Sequence, residues 1–202
     1  WDTAKEATEI SILKTIDYNY YLKKPSGHIV IVGAGKLAIS KLKKNKDPAI
    51  IVERDPNNKN LNTIRGIRKN IKILTGEMSD PNIQKRSFIK NAAYFWAFTN
   101  KDVVNINLAL AYHLPTNIEV KIRVEDFEIH DIMKSEAFNN QKIKVYSVHK
   151  DLAERFVEKD ESFKSLKTLV IYGFGRFGHY VLEAILKENK FLENLIIIDP
   201  KA

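Results

Sequence analysis

Residues 28–38, with the sequence HIVIVGAGKLA, decide the fold of this chain. The segment His28–Val32 is an almost continuous run of β-branched apolar residues, which predicts a buried strand. Gly33 and Gly35 follow directly and predict a tight turn. A helical pattern begins at Leu37, so the chain passes from a strand through a glycine-rich turn into a helix.

The same alternation of short apolar runs and helical patterns continues along the chain. Six strands are predicted, at His28–Val32, Ala49–Val52, Ile71–Leu74, Ala93–Phe98, Ile118–Val124 and Ile143–Val148. Helices are predicted between them, at Leu37–Lys44, near 57–69, and at Ile83–Lys90, Val103–His113 and Phe127–Ser135. Strands that alternate with helices imply parallel strands joined by right-handed crossovers. We therefore expect an α/β fold, a Rossmann-like doubly wound parallel sheet with flanking helices.

The alternation starts again near the C-terminus. Strands are predicted at Thr168–Tyr172 and Leu195–Ile198, with a glycine-rich turn and the helix Phe177–Lys190 between them. This pattern indicates the start of a second Rossmann-like βαβ repeat, similar to the opening unit. Because a lone βαβ unit cannot bury both faces of its sheet, we expect this second unit to be incomplete.

The chain therefore divides into four predicted parts. Residues 1–27 form an N-terminal helix and linker, and residues 28–150 form the first α/β domain. Residues 151–167 contain a linking helix, and residues 168–202 hold the incomplete second unit. The chain begins with Trp1 rather than methionine, so we expect it to be a segment of a longer protein.

Composition excludes several classes of protein. Hydrophobic residues make up 44% of the 202 residues, which is enough for a core and excludes wholesale disorder. The absence of cysteine excludes disulfides, thiolate metal sites and a cysteine nucleophile. No apolar run approaches the ~20 residues that cross a bilayer, so we expect a soluble segment. The net charge of +8 comes from scattered basic residues, and without a nucleic-acid-binding motif we expect no nucleic-acid partner.

The first glycine turn has the chemistry of a nucleotide site. Gly33, Gly35 and Ala38 spell G-x-G-x-x-A, in which the second glycine lets the backbone approach a pyrophosphate. The helix N-terminus offers free N–H groups to the phosphates. Glu53, 18 positions after Gly35, ends the second predicted strand and would accept hydrogen bonds from the ribose hydroxyls. The alternative is a glycine turn that serves only the fold.

Glu53 also predicts which nucleotide is preferred. A 2′-phosphate beside its carboxylate would bring two negative groups together, so we expect NAD(H) or AMP-type ligands to bind more tightly than NADP(H). Arg54 is a further candidate cofactor-binding residue, because it is the type of residue that accepts such a phosphate. Because successive residues of a strand point to opposite faces, we expect only Glu53 of the two to face the ribose.

The second glycine turn is a further candidate cofactor site. Gly173, Gly175 and Gly178 form a full G-x-G-x-x-G after a predicted strand. The acidic candidate for the ribose is Asp199, 24 positions after Gly175. This pattern is compatible both with a turn that binds a nucleotide and with a turn that binds none.

Several motifs of the first domain occur in the order found in one family. They are Gly33–Ala38, IIVERDP at 50–56, TGEMSDP at 75–81, AFTNKDVVNINLA at 97–109 and VKIRVED at 120–126. Over roughly residues 28–160 the chain resembles the nucleotide-binding lobe of regulator-of-potassium-conductance (RCK) domains, also called Trk-type NAD-binding (TrkA-N) domains. Such domains lie on the cytosolic side of potassium channels and transporters, bind dinucleotides, adenine nucleotides or divalent cations, and gate ion flux as dimers or larger rings.

The resemblance implies a set of ligand contacts. The backbone of Gly35, Lys36 and Leu37 would hold the phosphates, and Glu53 would hold the ribose. Glu77 and Met78 would lie beside the adenine. The loop after the fourth strand would flank the ligand through Thr99, Asn100 and Asp102. Asn105 matches an asparagine early in the next helix, and Arg123 matches an arginine that could neutralise a phosphate. The alternatives are a surface or capping role for Glu77 and a salt bridge from Arg123 to Glu125 or Asp126.

The resemblance implies a regulatory function rather than catalysis. We expect NAD(H) or an adenine nucleotide (ATP, ADP or AMP) to bind as a ligand, with no catalytic residues. Calcium-binding members have carboxylates where Arg123 stands, so we expect no metal site. An oxidoreductase is the less favoured alternative, because only His149 of the five histidines could stand at the end of a first-domain strand near a carboxylate.

The expected partners follow from the same resemblance. We expect a homo-oligomer, a dimer or larger gating ring, on the cytoplasmic side of the cell membrane. The partner would be a potassium channel pore or transporter subunit, fused to this chain or separate from it; in the second case the chain is a stand-alone regulatory subunit. The helix predicted at 3–22 would be a tether or a dimerisation helix. The linking helix Asp151–Phe163 would pair through Leu152, Phe156 and Val157, with little local core to bury them.

Overall fold

A computed structural model describes residues 25–110, 114–134 and 143–200 of the chain. The helix predicted at 3–22 lies outside the described residues, as do the last residues of the helices predicted at Val103–His113 and Phe127–Ser135. No helix in the described ranges is long and apolar enough to cross a membrane.

The first domain is built on one parallel sheet. Its strands are β1 (Ile29–Val32), β2 (Ala49–Glu53), β3 (Ile71–Thr75), β4 (Tyr94–Ala97), β5 (Glu119–Arg123) and β6 (Ile143–Tyr146). The strand order is β3-β2-β1-β4-β5-β6, and every neighbouring pair is parallel. This confirms the doubly wound α/β fold. The order reverses between β1 and β4, which is where such sheets bind ligands at the carboxyl ends of their strands.

Helices cover both faces of this sheet and continue into the second unit. They are α1 (Lys36–Lys44), α2 (Asn60–Ile67), α3 (Pro81–Ser87), α4 (Asp102–Leu110), α5 (Phe127–Lys134), α6 (Val148–Glu158) and α7 (Arg176–Glu188). Short 3₁₀ helices occupy Ile89–Asn91 and Glu161–Ser165. The predicted helix Ile83–Lys90 is therefore divided in the structure. Phe88 has a left-handed conformation with φ of 50°, which ends α3.

Burial on both faces explains why the first strand is apolar throughout. Val30 packs into one core with Phe95, and Ile31 packs into the opposite core with Trp96. All four residues of β1 are buried. A central parallel strand covered on both sides needs apolar side chains at every position, whereas a half-exposed strand needs them only at alternate positions.

The linking helix differs from its predicted range. It begins at Val148, which the sequence placed in the sixth strand, because Ser147 caps the helix by accepting a hydrogen bond from the Lys150 amide at 3.2 Å. The expectation of little local core is wrong for Val157, which is buried against α7. Leu152 and Phe156 are half exposed, as they would be on a contact surface.

The second unit contains two parallel strands, β7 (Thr168–Tyr172) and β8 (Asn194–Ile198), and helix α7. A small core joins this unit to α6, through Leu169, Ile185 and Val157. Every residue of β8 is exposed. The described residues thus show the start of a second sheet, as the internal repeat predicts.

A buried carboxylate connects the first sheet to α6. Glu125 follows β5, is 2% exposed, and accepts a hydrogen bond from Arg123 Nε at 2.7 Å. It also accepts from the Ser147 hydroxyl at 2.9 Å and the Val148 amide at 3.1 Å, and its Oε2 lies 2.6 Å from His149 Nδ1. Burial alone would raise the pKa of Glu125, but these hydrogen bonds outweigh it and lower the pKa to about 2.

We expect the ionised Glu125 to stabilise the fold at neutral pH. Its pKa falls from 4.5 to about 2 on folding, and one pKa unit is about 1.4 kcal/mol, so the contribution is about 3 kcal/mol above pH 4.5. Because the folded pKa is the lower one, this contribution is lost as the pH falls from about 4.5 towards 2. Urea unfolding of the wild type and Glu125→Gln should therefore differ by about 3 kcal/mol at neutral pH and by much less near pH 3.

Glu128→Gln provides the matched control, because Glu128 is an exposed carboxylate in the first turn of α5. A stability difference between the wild type and Glu125→Gln that is the same at both pH values would contradict this prediction.

Candidate functional site

A cavity of about 680 Å³ lies at the carboxyl ends of β1, β2 and β4, where the strand order reverses. Its size suits a small organic ligand. The predicted site residues that line it are Gly33, Gly35, Glu53, Arg54, Glu77, Met78, Thr99, Asn100 and Arg123. The fold thus brings together residues from five separate segments of the chain.

Gly33 is required by the conformation of the turn. Its φ is +99°, and a Cβ there would stand 3.1 Å from backbone atoms of Phe98 and Thr99. Its amide donates to the Val52 carbonyl at 2.9 Å, which joins the turn to β2. A side chain at this position would strain the turn and push β4 away from it.

The N-terminus of α1 adjoins the cavity through Gly35. Gly35 is its N-cap residue, and no side chain caps the helix. In the described part of the chain the amides of Gly35, Lys36 and Leu37 have no hydrogen-bond acceptor. A Cβ on Gly35 would meet nothing within 4 Å, so there is room for a ligand against the backbone. Such amides suit a phosphate group. Neither Lys36 nor Leu37 is among the residues that line the cavity.

Glu53 holds the glycine turn in place. Its Oε2 accepts from the Ala34 amide at 2.8 Å and from Asn58 Nδ2 at 3.1 Å, and its Oε1 accepts from the Asp55 amide at 3.0 Å. A carboxylate has about four acceptor positions, so it keeps capacity for a ribose hydroxyl. Asn60 Nδ2 donates to the Ala34 carbonyl at 2.9 Å. Neither asparagine was predicted as a site residue, although both lie in the polar run just after Glu53.

Arg54, the other candidate cofactor residue at the end of β2, borders the cavity together with Glu53. Strand β2 ends at Glu53, so the alternation of faces does not extend to Arg54. Arg54 Nη1 lies 3.6 Å from Glu77 Oε1, with both side chains largely exposed. Met78 is buried beside them and supplies an apolar surface.

Asn105 fixes the loop that follows β4. This buried side chain accepts from the Thr99 amide at 3.0 Å, and its Nδ2 donates to the Arg123 carbonyl at 2.8 Å. The predicted ligand residue Asp102 does not line the cavity. Its carboxylate accepts from the amides of Glu125 and Asp126, at 3.0 and 2.8 Å, and so supports the loop after β5.

Two basic residues, from the loop after β4 and the end of β5, line the cavity. Arg123 both lines the cavity and forms the salt bridge to Glu125, so its two sequence-based interpretations are compatible. Lys101 lines the cavity as well and was missed, although it lies between the predicted residues Asn100 and Asp102. Together they can neutralise a phosphate bound in the cavity.

The second glycine turn repeats the first in detail. Gly173 has φ of +85°, and its amide donates to the Ile198 carbonyl at 2.8 Å. The Phe174 amide donates to Asp199 Oδ2 at 3.2 Å, as the Ala34 amide does to Glu53. A cavity of about 820 Å³ adjoins this turn. Its lining includes Gly173, Gly175, Gly178 and Asp199, together with His149 from the start of α6.

Carboxylates and histidines are too dispersed to form a metal centre in the described ranges. No group of three or more His, Cys, Asp or Glu residues there could hold a metal ion. The charged groups of the first cavity are instead mixed in sign: Glu53, Asp55, Glu77, Arg54, Lys101 and Arg123. That mixture fits an organic ligand with both hydroxyl and phosphate groups.

Several solved structures share the fold of this chain. The TrkA-N domain of the inner membrane protein ybaL from Escherichia coli is 18% identical, with a TM-score of 0.52 over 68% of this chain and 98% of that one. GsuK bound to ADP is 18% identical, with a TM-score of 0.60 over 87% of this chain and 44% of that one. A structure of the GsuK channel is 16% identical, with a TM-score of 0.57 over 81% and 42%. This chain thus spans less than half of the GsuK chains.

Comparison with curated proteins gives no significant match. The family model of the TrkA-N domain matches residues 29–142, which is more than half of the chain and includes the whole first glycine turn and β1 to β5. This chain therefore belongs to the TrkA-N domain family.

Proposed function

We propose that the first cavity binds NAD(H) or an adenine nucleotide as a regulatory ligand. One observation carries the proposal: Glu53 is bonded to the Ala34 amide of the glycine turn, within a cavity that also exposes Arg123. The Gly35 amide at the N-cap of α1 and the Arg123 guanidinium would hold the phosphates, and Glu53 would hold the ribose. Glu77 and Met78 would lie beside the adenine.

We further propose that ligand binding controls ion flux through a potassium channel or transporter. Membership of the TrkA-N family and the similarity to GsuK, solved as a channel and bound to ADP, support this proposal. The chain would act as a homo-oligomer on the cytosolic side of the membrane. The pore that it controls would be fused to this chain or be a separate subunit. A ligand can shift such an equilibrium only by binding the two states with different affinities.

The residues of the first cavity fit a nucleotide that is bound as a regulatory ligand better than one that is used in a redox reaction. A dehydrogenase needs a proton relay beside the nicotinamide, and no histidine is among the described residues that line the first cavity. His149 lies in the second cavity instead, with its Nδ1 against Glu125. We therefore propose that the nucleotide is bound without being consumed.

Nucleotide binding is tested directly by calorimetry and thermal unfolding. We expect at least one of NADH, NAD, ATP, ADP and AMP to bind, and a ligand at 100 times its Kd to add about 2.7 kcal/mol of stability. Gly33→Val should abolish binding, because a side chain there meets the backbone of Phe98 and Thr99. Gly66→Ala is the matched control, since a Cβ at Gly66 meets nothing within 4 Å. An unchanged melting temperature with all five nucleotides would refute the proposed function.

We expect NADH to bind at least tenfold more tightly than NADPH, because a 2′-phosphate would lie against the Glu53 carboxylate. The useful variant is Glu53→Gln, which removes the charge and keeps an acceptor for the Ala34 amide. This variant should reduce the difference in affinity between NADH and NADPH, because Arg54 at the same edge of the cavity can then contact the 2′-phosphate. Glu119→Gln controls for charge loss outside the cavity. Equal affinities of the wild type for NADH and NADPH would show that Glu53 does not contact the ribose.

We expect self-association through the exposed apolar face of α6. Leu152 and Phe156 are half exposed there, and Phe156 adjoins Phe163 and Phe177 at ring-centroid distances of 5.4 and 6.4 Å. Phe156→Asp should convert a dimer to a monomer in light scattering at high micromolar concentration. Phe191→Asp is the control, an exposed phenylalanine outside α6. A wild type that is monomeric under these conditions would contradict the prediction.

A further inference from the structure

One buried carboxylate contacts the border of both cavities. Glu125 Oε1 accepts from Nε of Arg123, which lines the first cavity, at 2.7 Å. Glu125 Oε2 lies 2.6 Å from Nδ1 of His149, which lines the second cavity.

The same carboxylate holds the start of α6. The amides of Val148 and His149 donate to it at 3.1 and 3.3 Å, in the first turn of the helix. Helix α6 packs along α7 of the second unit, and Lys150 pairs with Glu183 between them. A displacement of Glu125 would therefore shift the start of α6 and, through α7, the unit that contains the second glycine turn.

We propose that Glu125 is a positioning residue that couples ligand occupancy of the first cavity to the start of α6 and to the second cavity. The inference rests on the proposed function, because it requires an anionic ligand such as a nucleoside diphosphate in the first cavity. In the described part of the chain, Arg123 uses only Nε of its guanidinium for hydrogen bonding. Its terminal nitrogens are thus left for a phosphate while Glu125 fixes the orientation of the group.

The coupling acts in both directions. His149 and the two amides fix the position of Glu125, and Glu125 fixes Arg123, so a change at His149 alters how well Arg123 meets a phosphate. By thermodynamic reciprocity, a phosphate held by Arg123 alters the strength of the contacts at the start of α6. Neither effect requires His149 to touch the ligand.

A double-mutant cycle with ADP as the probe tests this inference. His149→Ala should weaken ADP binding about fivefold in calorimetry, although His149 does not line the first cavity. In an Arg123→Met background the same substitution should have no further effect, because its path to the ligand is gone. His179→Ala is the matched control: this ring stacks on Phe174 of the second turn and should leave ADP binding unchanged.

Amide hydrogen exchange tests whether Arg123 affects the start of α6. The first measurement compares the wild type with Arg123→Met without ligand. Arg123→Met alone should speed exchange of the Val148 amide about fivefold, since Oε1 of Glu125 loses the cation that fixes it. In the wild type, ADP should change exchange at Val148 and His149, and in Arg123→Met it should not. The Asn194 amide, bonded to the Lys167 carbonyl, is the internal reference.

The outcomes separate this inference from the proposed function. Absence of ADP, ATP, AMP and NAD(H) binding to the wild type refutes the proposed function, and exchange in ligand-free Arg123→Met then decides whether Arg123 and α6 are linked. ADP binding that is weakened equally by His149→Ala in both backgrounds overturns the coupling alone. Unchanged exchange at Val148 in Arg123→Met also overturns it. If Arg123→Met fails to fold by circular dichroism, Arg123→Gln replaces it in both arms.

Discussion

The hydrogen bond from the Ala34 amide to Glu53 is the contact on which the first cavity depends. The amide lies between the two glycines of the turn, and the carboxylate lies at the end of the neighbouring strand β2. This bond fixes the turn to the sheet, while the partial positive charge at the N-terminus of α1 offsets the charge of the carboxylate. One side chain thus holds the turn and remains available to a ligand. A substitution that removed the acceptor atoms of Glu53 would therefore disturb the glycine turn and the ligand site together.

The strands could be predicted to within a residue or two, because helices cover both faces of the sheet. Strands β1, β2 and β4 therefore appear in the sequence as short apolar runs, whereas the edge strand β3 is interrupted by Lys72. Helix ends were less predictable, since they depend on local backbone conformation and capping. The left-handed conformation of Phe88 ends α3 within a run that looks helical. The cap at Ser147 begins α6 within a run that looks like a strand.

The part of the site set by local spacing was also predictable. The glycine turn and Glu53 belong to one βαβ unit, so a short pattern specifies both. The role of Asp102 was predicted less well, because it depends on where the loop after β5 lies in space. Arg54 lines the cavity beside Glu53 because its strand ends one residue earlier. The hydrogen bonds of Asn105 and Glu125 join segments far apart in sequence, and no local pattern encodes them.

The partners of Glu125 have an energetic consequence that extends beyond stability. A buried carboxylate without a partner would cost several kcal/mol, so the chain must keep donors around it whenever α6 moves. Two of those donors, Arg123 and His149, also face cavities, where a ligand or solvent can compete for them. The cost of rearranging α6 is therefore not set by the helix alone. It depends on what occupies the cavity beside Arg123, and this dependence gives a nucleotide a physical route to the second unit.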